Sequence, residues 1–502
     1  MGSTSTIKQP GALNILTVII TATLLGACGS GGSETTMGTS QNTQSTAVDE
    51  TNSSQSNAHA DTASDNSDNS DSDTDNADGD TGSTAGEGDT APDPGDEDDS
   101  DTEPDDDEGG SEETPDSPDQ NDTLAGWILN SDGATAAIML DEAGQLAQVN
   151  VQAVSALEQS GQQYTVVTAS GMPDYQVVVD EEMLSSLSSR PRAASDFATG
   201  SPQVAIGDVV EFGQDIGYNS NSSCALDAGQ GYWPPGPVCP EVMDRTGTFP
   251  NQPTQNTDAC ETGLGTVGFW VNGTSVYNWG DGQSYNNERI WQTLAPVAEQ
   301  YDVDVCGGHA AQGDYHHHYY SSCLAEMVGD TGSGHSPVYG YAADGYAIYG
   351  PWESQGELAI SSWEVRDYRA SAPTGCSDGA RSCVLNDQYD VSQGTRNVSS
   401  GPGFDTVVRT LSRNELVAEN GYFKEDFYWN STLTEQGGNY LDQYNGHYDE
   451  HRGYHYHVTA RDDNGKLIPT FPYTIGDRFA GELQSNALTS CGGIRPGGPG
   501  RE

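Results

Sequence analysis

Basic residues are scarce in this chain: 18 lysines and arginines among 502 residues, against 76 aspartates and glutamates, for a formal net charge of −58. Between Gly29 and Asp122 there are 29 acidic residues and no basic one. That stretch repels itself and has too little apolar surface to offset the entropy of ordering, so residues 29–122 are expected to be a long disordered acidic linker rich in Ser and Asp. The remainder, 123–502, still holds 47 acids against 17 bases. A field of that sign repels phosphate backbones and argues against nucleic acid as a partner. Long apolar runs are also missing, and none reaches the ~20 residues of a membrane-spanning helix. No Cys-x-x-Cys pair occurs, which weakens a thiolate zinc site or a redox dithiol. No Gly-rich phosphate loop and no His-Glu-x-x-His run is found.

What is present begins with an address. Lys8 precedes a short apolar stretch, Leu13 to Leu25, of signal-peptide length. It ends in Leu25-Gly26-Ala27-Cys28, which resembles the lipobox of bacterial lipoproteins. Residues 1–28 are therefore expected to be a lipoprotein signal peptide with Cys28 lipidated, an ordinary signal peptide cut nearby being the alternative. The acyl chains would be the chain's membrane contact. Gly29, rather than Asp, follows the cysteine, which in such lipoproteins implies export to the outer membrane or cell surface.

Beyond Cys28 there are eight cysteines, Cys224, Cys239, Cys260, Cys306, Cys323, Cys376, Cys383 and Cys491. An even number in an exported chain implies four disulfides. Cys376–Cys383 is the safest pair, because Gly and Asp lie between them, and Cys224–Cys239 is a plausible second.

Short β-rich segments fill 123–218: Ala136–Leu140, Leu146–Val151, Tyr164–Ala169 and Tyr175–Val179, separated by glycine turns, with one helix over Glu181–Leu187. They are expected to form a small β-rich subdomain. From 219 to 502 Gly, Tyr and Trp rise, and the pattern is again short strands and turns. One helix is predicted over Asn287–Tyr301, where Ile290, Leu294 and Val297 fall near helical spacing. No βαβ rhythm and no repeat of fixed period is seen. The fold class is thus mainly β with a few short helices, a β-rich α+β fold stabilised by disulfides.

Nine of the ten histidines lie between residues 309 and 457. They form two clusters. One contains His309, Tyr315-His316-His317-His318 and His335; the other contains His447, His451 and Tyr454-His455-Tyr456-His457. In a strand alternate side chains share a face. His316 and His318 therefore point together with His317 opposed, and His455 and His457 point together with Tyr454 and Tyr456 opposed. Two imidazoles one strand-repeat apart suit a single ion at ~2 Å from each nitrogen. The four paired imidazoles are predicted to bind one shared transition-metal ion, with His309, His335 and His447 as further candidates. Copper is favoured over zinc by the divalent affinity order.

Cys306-Gly307-Gly308-His309 with Tyr315-His316-His317-His318, the run His335-Ser336-Pro337 through Tyr349-Gly350-Pro351, and Gly453-Tyr454-His455-Tyr456-His457-Val458-Thr459 together resemble the YHYH-domain family over about Cys260–Gly476. His317 departs from the naming motif, which has Tyr at that place. The resemblance implies export and a histidine constellation but no reaction. Asp344, in the longest motif, is a ligand, a general base or, preferably, a turn residue. Three functions remain open. One is a metal-binding surface lipoprotein with redox activity allowed by its Tyr neighbours. The second is a metal-dependent hydrolase with Asp344 as base. The third is a non-catalytic surface module for a glycan or protein.

Overall fold

The computed structural model describes residues 126–492, apart from 142, 220–231, 233 and 235–237. The signal peptide, Cys28, the acidic linker and Cys224 lie outside the described residues. No helix among those described is long and apolar enough to cross a membrane. The fold is β-rich with a few short helices, as the sequence predicts.

In the N-terminal part the expected segments appear as Thr135–Met139, Leu146–Gln148, Val151–Gln159, Gln162–Ala169 and Gln176–Val178. The long hairpin Val151–Gln159/Gln162–Ala169 closes on Ser160 and Gly161, both at positive φ, which matches the twist of its strands. The helix Glu181–Ser188 starts where it should. Asp180 caps it by accepting the Met183 N–H at 2.7 Å, and Glu181 and Glu182 in the first turn suit the positive end of the helix. Arg245–Pro250 pairs along Gln162–Ala169, so this part joins the later one through a three-stranded sheet. One apolar core runs through both, from Val149 and Val167 to Phe269, Trp270 and Tyr456.

An eight-stranded sheet dominates residues after 250. Its strands are β1 Thr266–Trp270, β2 Ser275–Tyr277, β3 His309–Ala311, β4 Asp314–His317, β5 Val338–Ala342, β6 Ala347–Tyr349, β7 Gly446–Asp449 and β8 Gly453–His457. Their spatial order is β3-β4-β2-β1-β5-β6-β8-β7. Neighbours are antiparallel except β4 with β2 and β6 with β8.

The predicted helix Asn287–Tyr301 is corrected by the structure. Gln292–Leu294 is a strand, and only Ala295–Ala298 is helical. Pro296 explains this: it lacks an N–H and crowds the preceding turn, so it begins a helix and does not continue one. Upstream, Asn286, Asn287 and Arg289 take positive φ and break helical geometry.

The disulfide Cys376–Cys383 forms as expected, and Cys260–Cys491 and Cys306–Cys323 join it. Cys239 is also disulfide-bonded. Cys306–Cys323 ties the turn before β3 to the helix Ser322–Met327 beyond β4, which braces the first histidine strands.

Candidate metal centres

At one end of the large sheet β3 and β4 form a hairpin in which His309 sits directly opposite His316. Opposite residues of an antiparallel pair share a face. The strand alternation adds His318, just past the end of β4, to that face. Ligand nitrogens of all three rings lie within 4.8 Å of one another, and all three residues are buried. A carboxylate completes the group: Glu299 Oε2 is 3.4 Å from His309 Nε2 and 3.3 Å from His318 Nε2.

At the other end β7 and β8 repeat the arrangement. His447 faces His455, and His457 follows on the same face. Glu353 Oε2 lies 3.2 Å from His447 Nε2 and 3.4 Å from His457 Nε2. His335 approaches from the segment before β5, its Nε2 3.9 Å from Glu353 Oε2, and it groups with His455 and His457.

The ring orientations say what these clusters want. His316 Nδ1 is 2.9 Å from the Asp314 carbonyl, and His318 Nδ1 meets the Asn278 carbonyl. His455 Nδ1 is 2.9 Å from the Gly453 carbonyl and His457 Nδ1 is 2.7 Å from that of Gly350. A carbonyl only accepts, so each Nδ1 carries the proton and, in a neutral ring, each Nε2 presents a lone pair. Yet Nε2 of His316 and His318 are 3.1 Å apart, and so are those of His455 and His457. Two lone pairs at that distance repel unless a cation lies between them. Two nitrogens that each bind one ion at ~2 Å lie roughly 3 to 4 Å apart, depending on the angle at the ion, and 3.1 Å fits that range. Carbonyl-bonded Nδ1 atoms are also the usual way in which a ligating ring is oriented.

Titration behaviour differs between the rings: burial lowers His309, but the Glu299 carboxylate outweighs it and raises that ring above the ordinary imidazole range. Burial pushes His316 well below the ordinary imidazole range, with His309 and His318 adding to it. Burial likewise lowers His455 to about 3 and His335 to about 4. These rings are neutral, as ligands must be. Burial alone would raise the Glu299 and Glu353 carboxyls, but the neighbouring imidazoles outweigh it and hold both below the usual range. Glu299 Oε2, Glu353 Oε2 and His335 Nε2 are buried atoms without a hydrogen-bond partner among the described residues. Groups of His and Glu are thus positioned to hold a metal ion.

One shared ion is ruled out. Strands β2, β1, β5 and β6 separate β4 from β8. Five steps at ~4.8 Å put the two histidine pairs on the order of 24 Å apart. His316 and His318 belong to one centre, and His455 and His457 to another. His451 is exposed and in neither.

The reverse face of the same strands is built differently. His317 points away from the cluster, as its alternation requires, and is buried against Trp270, Tyr175 and Tyr315. Tyr315 donates to Asp304 at 2.7 Å, Tyr454 donates to Asp442 at 3.0 Å, and Tyr456 donates to Asp344. Asp344 also accepts from the N–H groups of Tyr346 and Gly481 at 3.1 and 2.9 Å. It lies with Tyr456, on the face away from His455 and His457, so it is a turn residue and not a base at either cluster. That removes the geometric support for the hydrolase.

Residues 246–399 match the family model described as YHYH protein. This chain carries a YHYH domain. The match includes β3, β4, His335 and Asp344, and ends before β7 and β8, so it is shorter at its C-terminal end than the motif resemblance. No curated protein and no solved structure matches the chain.

Sequence reasoning missed Glu299 and Glu353. Neither sits in a histidine motif; Glu299 follows the short helix Ala295–Ala298 and Glu353 lies in the three-residue strand Trp352–Ser354, both outside the eight-stranded sheet, where the pattern is too short to mark a side chain's direction.

Proposed function

We propose that this YHYH protein is an exported, transition-metal-binding lipoprotein, anchored through Cys28 at the outer membrane or cell surface, with copper(II) favoured over zinc. The single observation that supports it is the approach of the Nε2 atoms to 3.1 Å in both His-x-His pairs, each pair beside a carboxylate oxygen at 3.3 or 3.4 Å. Neutral nitrogen with one carboxylate is a donor set for copper or zinc, and the affinity order ranks copper first. Tyr277 lies stacked on His316 with ring centres 3.6 Å apart, its hydroxyl donating to Asp314 at 3.0 Å. A phenol in contact with a ligand ring favours redox activity over hydrolysis. The membrane is met through the acyl anchor alone, and the linker holds the domain away from it.

Elemental analysis of protein purified without chelator or affinity nickel tests the reading. Copper or zinc bound, removed by chelator and restored by titration, is the expected result. Protein that is metal-free as isolated and takes up neither ion would sink it.

A further inference from the structure

The two centres resemble each other beyond their ligands. The sheet order β3-β4-β2-β1-β5-β6-β8-β7 reads the same from either end once β5–β8 are matched to β1–β4. At its middle Phe269 pairs with Tyr341, flanked by Trp270 with Gly340 and Gly268 with Ala342. This is the register of a local two-fold axis.

Side chains follow the same mapping. Gly268-Phe269, Asn272-Gly273 and Val276-Tyr277 of the first hairpin match Gly340-Tyr341, Asp344-Gly345 and Ile348-Tyr349 of the second. A Cβ on Gly268 would come 2.5 Å from the Tyr341 oxygen, and one on Gly340 would come 2.5 Å from the Phe269 oxygen, so the strands meet this closely only because both are glycine. Asn272 accepts the Thr274 N–H at 3.2 Å and Asp344 accepts that of Tyr346 at 3.1 Å. The ligand strands agree too. Asp304 accepts the N–H groups of Cys306 and Gly308 at 2.8 and 3.1 Å; Asp442 accepts those of Tyr444 and Gly446 at 2.8 and 3.1 Å. Gly307 and Asn445 take positive φ in the two turns, 78° and 69°. His309, Tyr315, His316 and His318 then correspond to His447, Tyr454, His455 and His457, and the carbonyls that orient their rings correspond as well.

We infer that the sheet is an internal duplication of a four-stranded unit, that each unit holds its own transition-metal ion, and that His335 makes the second centre the tighter one. This rests on the metal-binding reading above. No fixed period betrays the repeat, because the connection from β6 to β7 is far longer than that from β2 to β3. The carboxylates Glu299 and Glu353 come from these connections and have no common position in the repeat. His335 is the main asymmetry among the donors. Counting back from Gly268, its place in the first unit is held by Gly263, which has no side chain. The first centre therefore has three imidazoles beside Glu299; at the second, His335 groups with His455 and His457, and His447 groups with His457 and Glu353, so one more imidazole is within reach. A further neutral nitrogen adds affinity for copper or zinc.

Calorimetric titration of copper(II) and of zinc into the chelator-stripped full chain tests this. Wild type is expected to bind two ions per chain in two affinity classes. His316→Ala removes the weaker class and His457→Ala the tighter; His309→Gln and His447→Gln, at the sheet edges, repeat the result if the core variants fail to fold. His335→Ala keeps two ions but weakens the tighter class about tenfold or more. One ion per wild-type chain, or a single variant that empties both classes while circular dichroism stays native, overturns two independent centres. Unchanged affinities in His335→Ala overturn the ranking. No ion bound by wild type sinks the metal-binding reading itself and the inference with it.

Discussion

The two faces of strands β4 and β8 carry the same kinds of polar residue and use them in opposite ways. On the tyrosine face each phenol of β4 and β8 has a carboxylate: Tyr315 with Asp304, Tyr454 with Asp442, Tyr456 with Asp344. On the histidine face the buried Nε2 atoms converge on each other and on the Glu299 and Glu353 carboxylate oxygens at 3.2–3.4 Å, with no well-formed hydrogen bond to those oxygens among the described residues. Buried polar groups are ordinarily paired, because an unpaired one costs its full desolvation. The paired face is therefore scaffold, and the histidine face groups imidazoles and carboxylates that could hold a metal ion. His317 stands between the two cases: it lies on the scaffold face, its Nε2 is 3.4 Å from the Tyr175 hydroxyl, and its Nδ1 has no well-formed hydrogen bond among the described residues.

If that division holds, the largest loss of stability comes from the scaffold face. Asp344→Ala strips the acceptor from the Tyr456 hydroxyl and from two backbone N–H groups at once. At ~1–3 kcal/mol for each buried group left unpaired, the loss is about 3 kcal/mol or more. Urea unfolding with chelator present measures it, and the variant should still bind both ions wherever it is folded. A loss below about 1 kcal/mol would mean that this face is not the scaffold.

The histidine face responds to metal instead. At a free ion concentration 100 times the dissociation constant, each centre adds ~2.7 kcal/mol by linkage. Thermal melts with and without chelator should separate by both gains, about 5.4 kcal/mol, in wild type and by one of them, about 2.7 kcal/mol, in His316→Ala or His457→Ala. A melt indifferent to chelator in all three would erase the distinction between the faces.

His317 sharpens the comparison because it sits beside ligands in sequence and behind them in space. His317→Ala leaves a cavity among Trp270, Tyr175 and Tyr315 and should cost about 2 kcal/mol. Copper affinity of the first centre should change less than about threefold, well under the cost of losing a ligand. A loss of that centre's ion would place His317 on the wrong face.

Strand alternation made the faces legible in the sequence: it set His316 with His318 and His455 with His457, and it turned His317 and the tyrosines away. It could not say which strands are neighbours. Pairing of β4 with β2 and of β8 with β6 is decided by contacts between residues far apart in the chain, so two centres looked like one. Glu299 follows a helical turn begun by Pro296, and Glu353 lies in a short strand of its own, Trp352–Ser354. Neither position carries a pattern that points it at imidazoles. Spacing of Ile290, Leu294 and Val297 imitated a helix because Leu294 is buried from a strand, not from a helical face.

The smallest effect is a difference in slope with pH. Burial pushes the Asp344 carboxyl up to about 6, although the Tyr456 hydroxyl and the N–H groups of Gly481 and Tyr346 pull the other way. The unfolded chain ionises this group near 3.9. Between those values the folded state holds a proton that the unfolded state has released. By linkage, whatever Asp344 contributes in its protonated form is fully present below about pH 4 and is lost as pH rises through about 6. Asp344→Asn keeps the shape and cannot ionise. With chelator present, so that ligand titration does not intrude, the stability of wild type relative to Asp344→Asn should decline from pH 4 to pH 6.5. Urea midpoints of the two proteins at both pH values provide the test. A gap that stays constant, or that widens toward pH 6.5, would show that the hydrogen bonds outweigh burial and that Asp344 is ionised throughout.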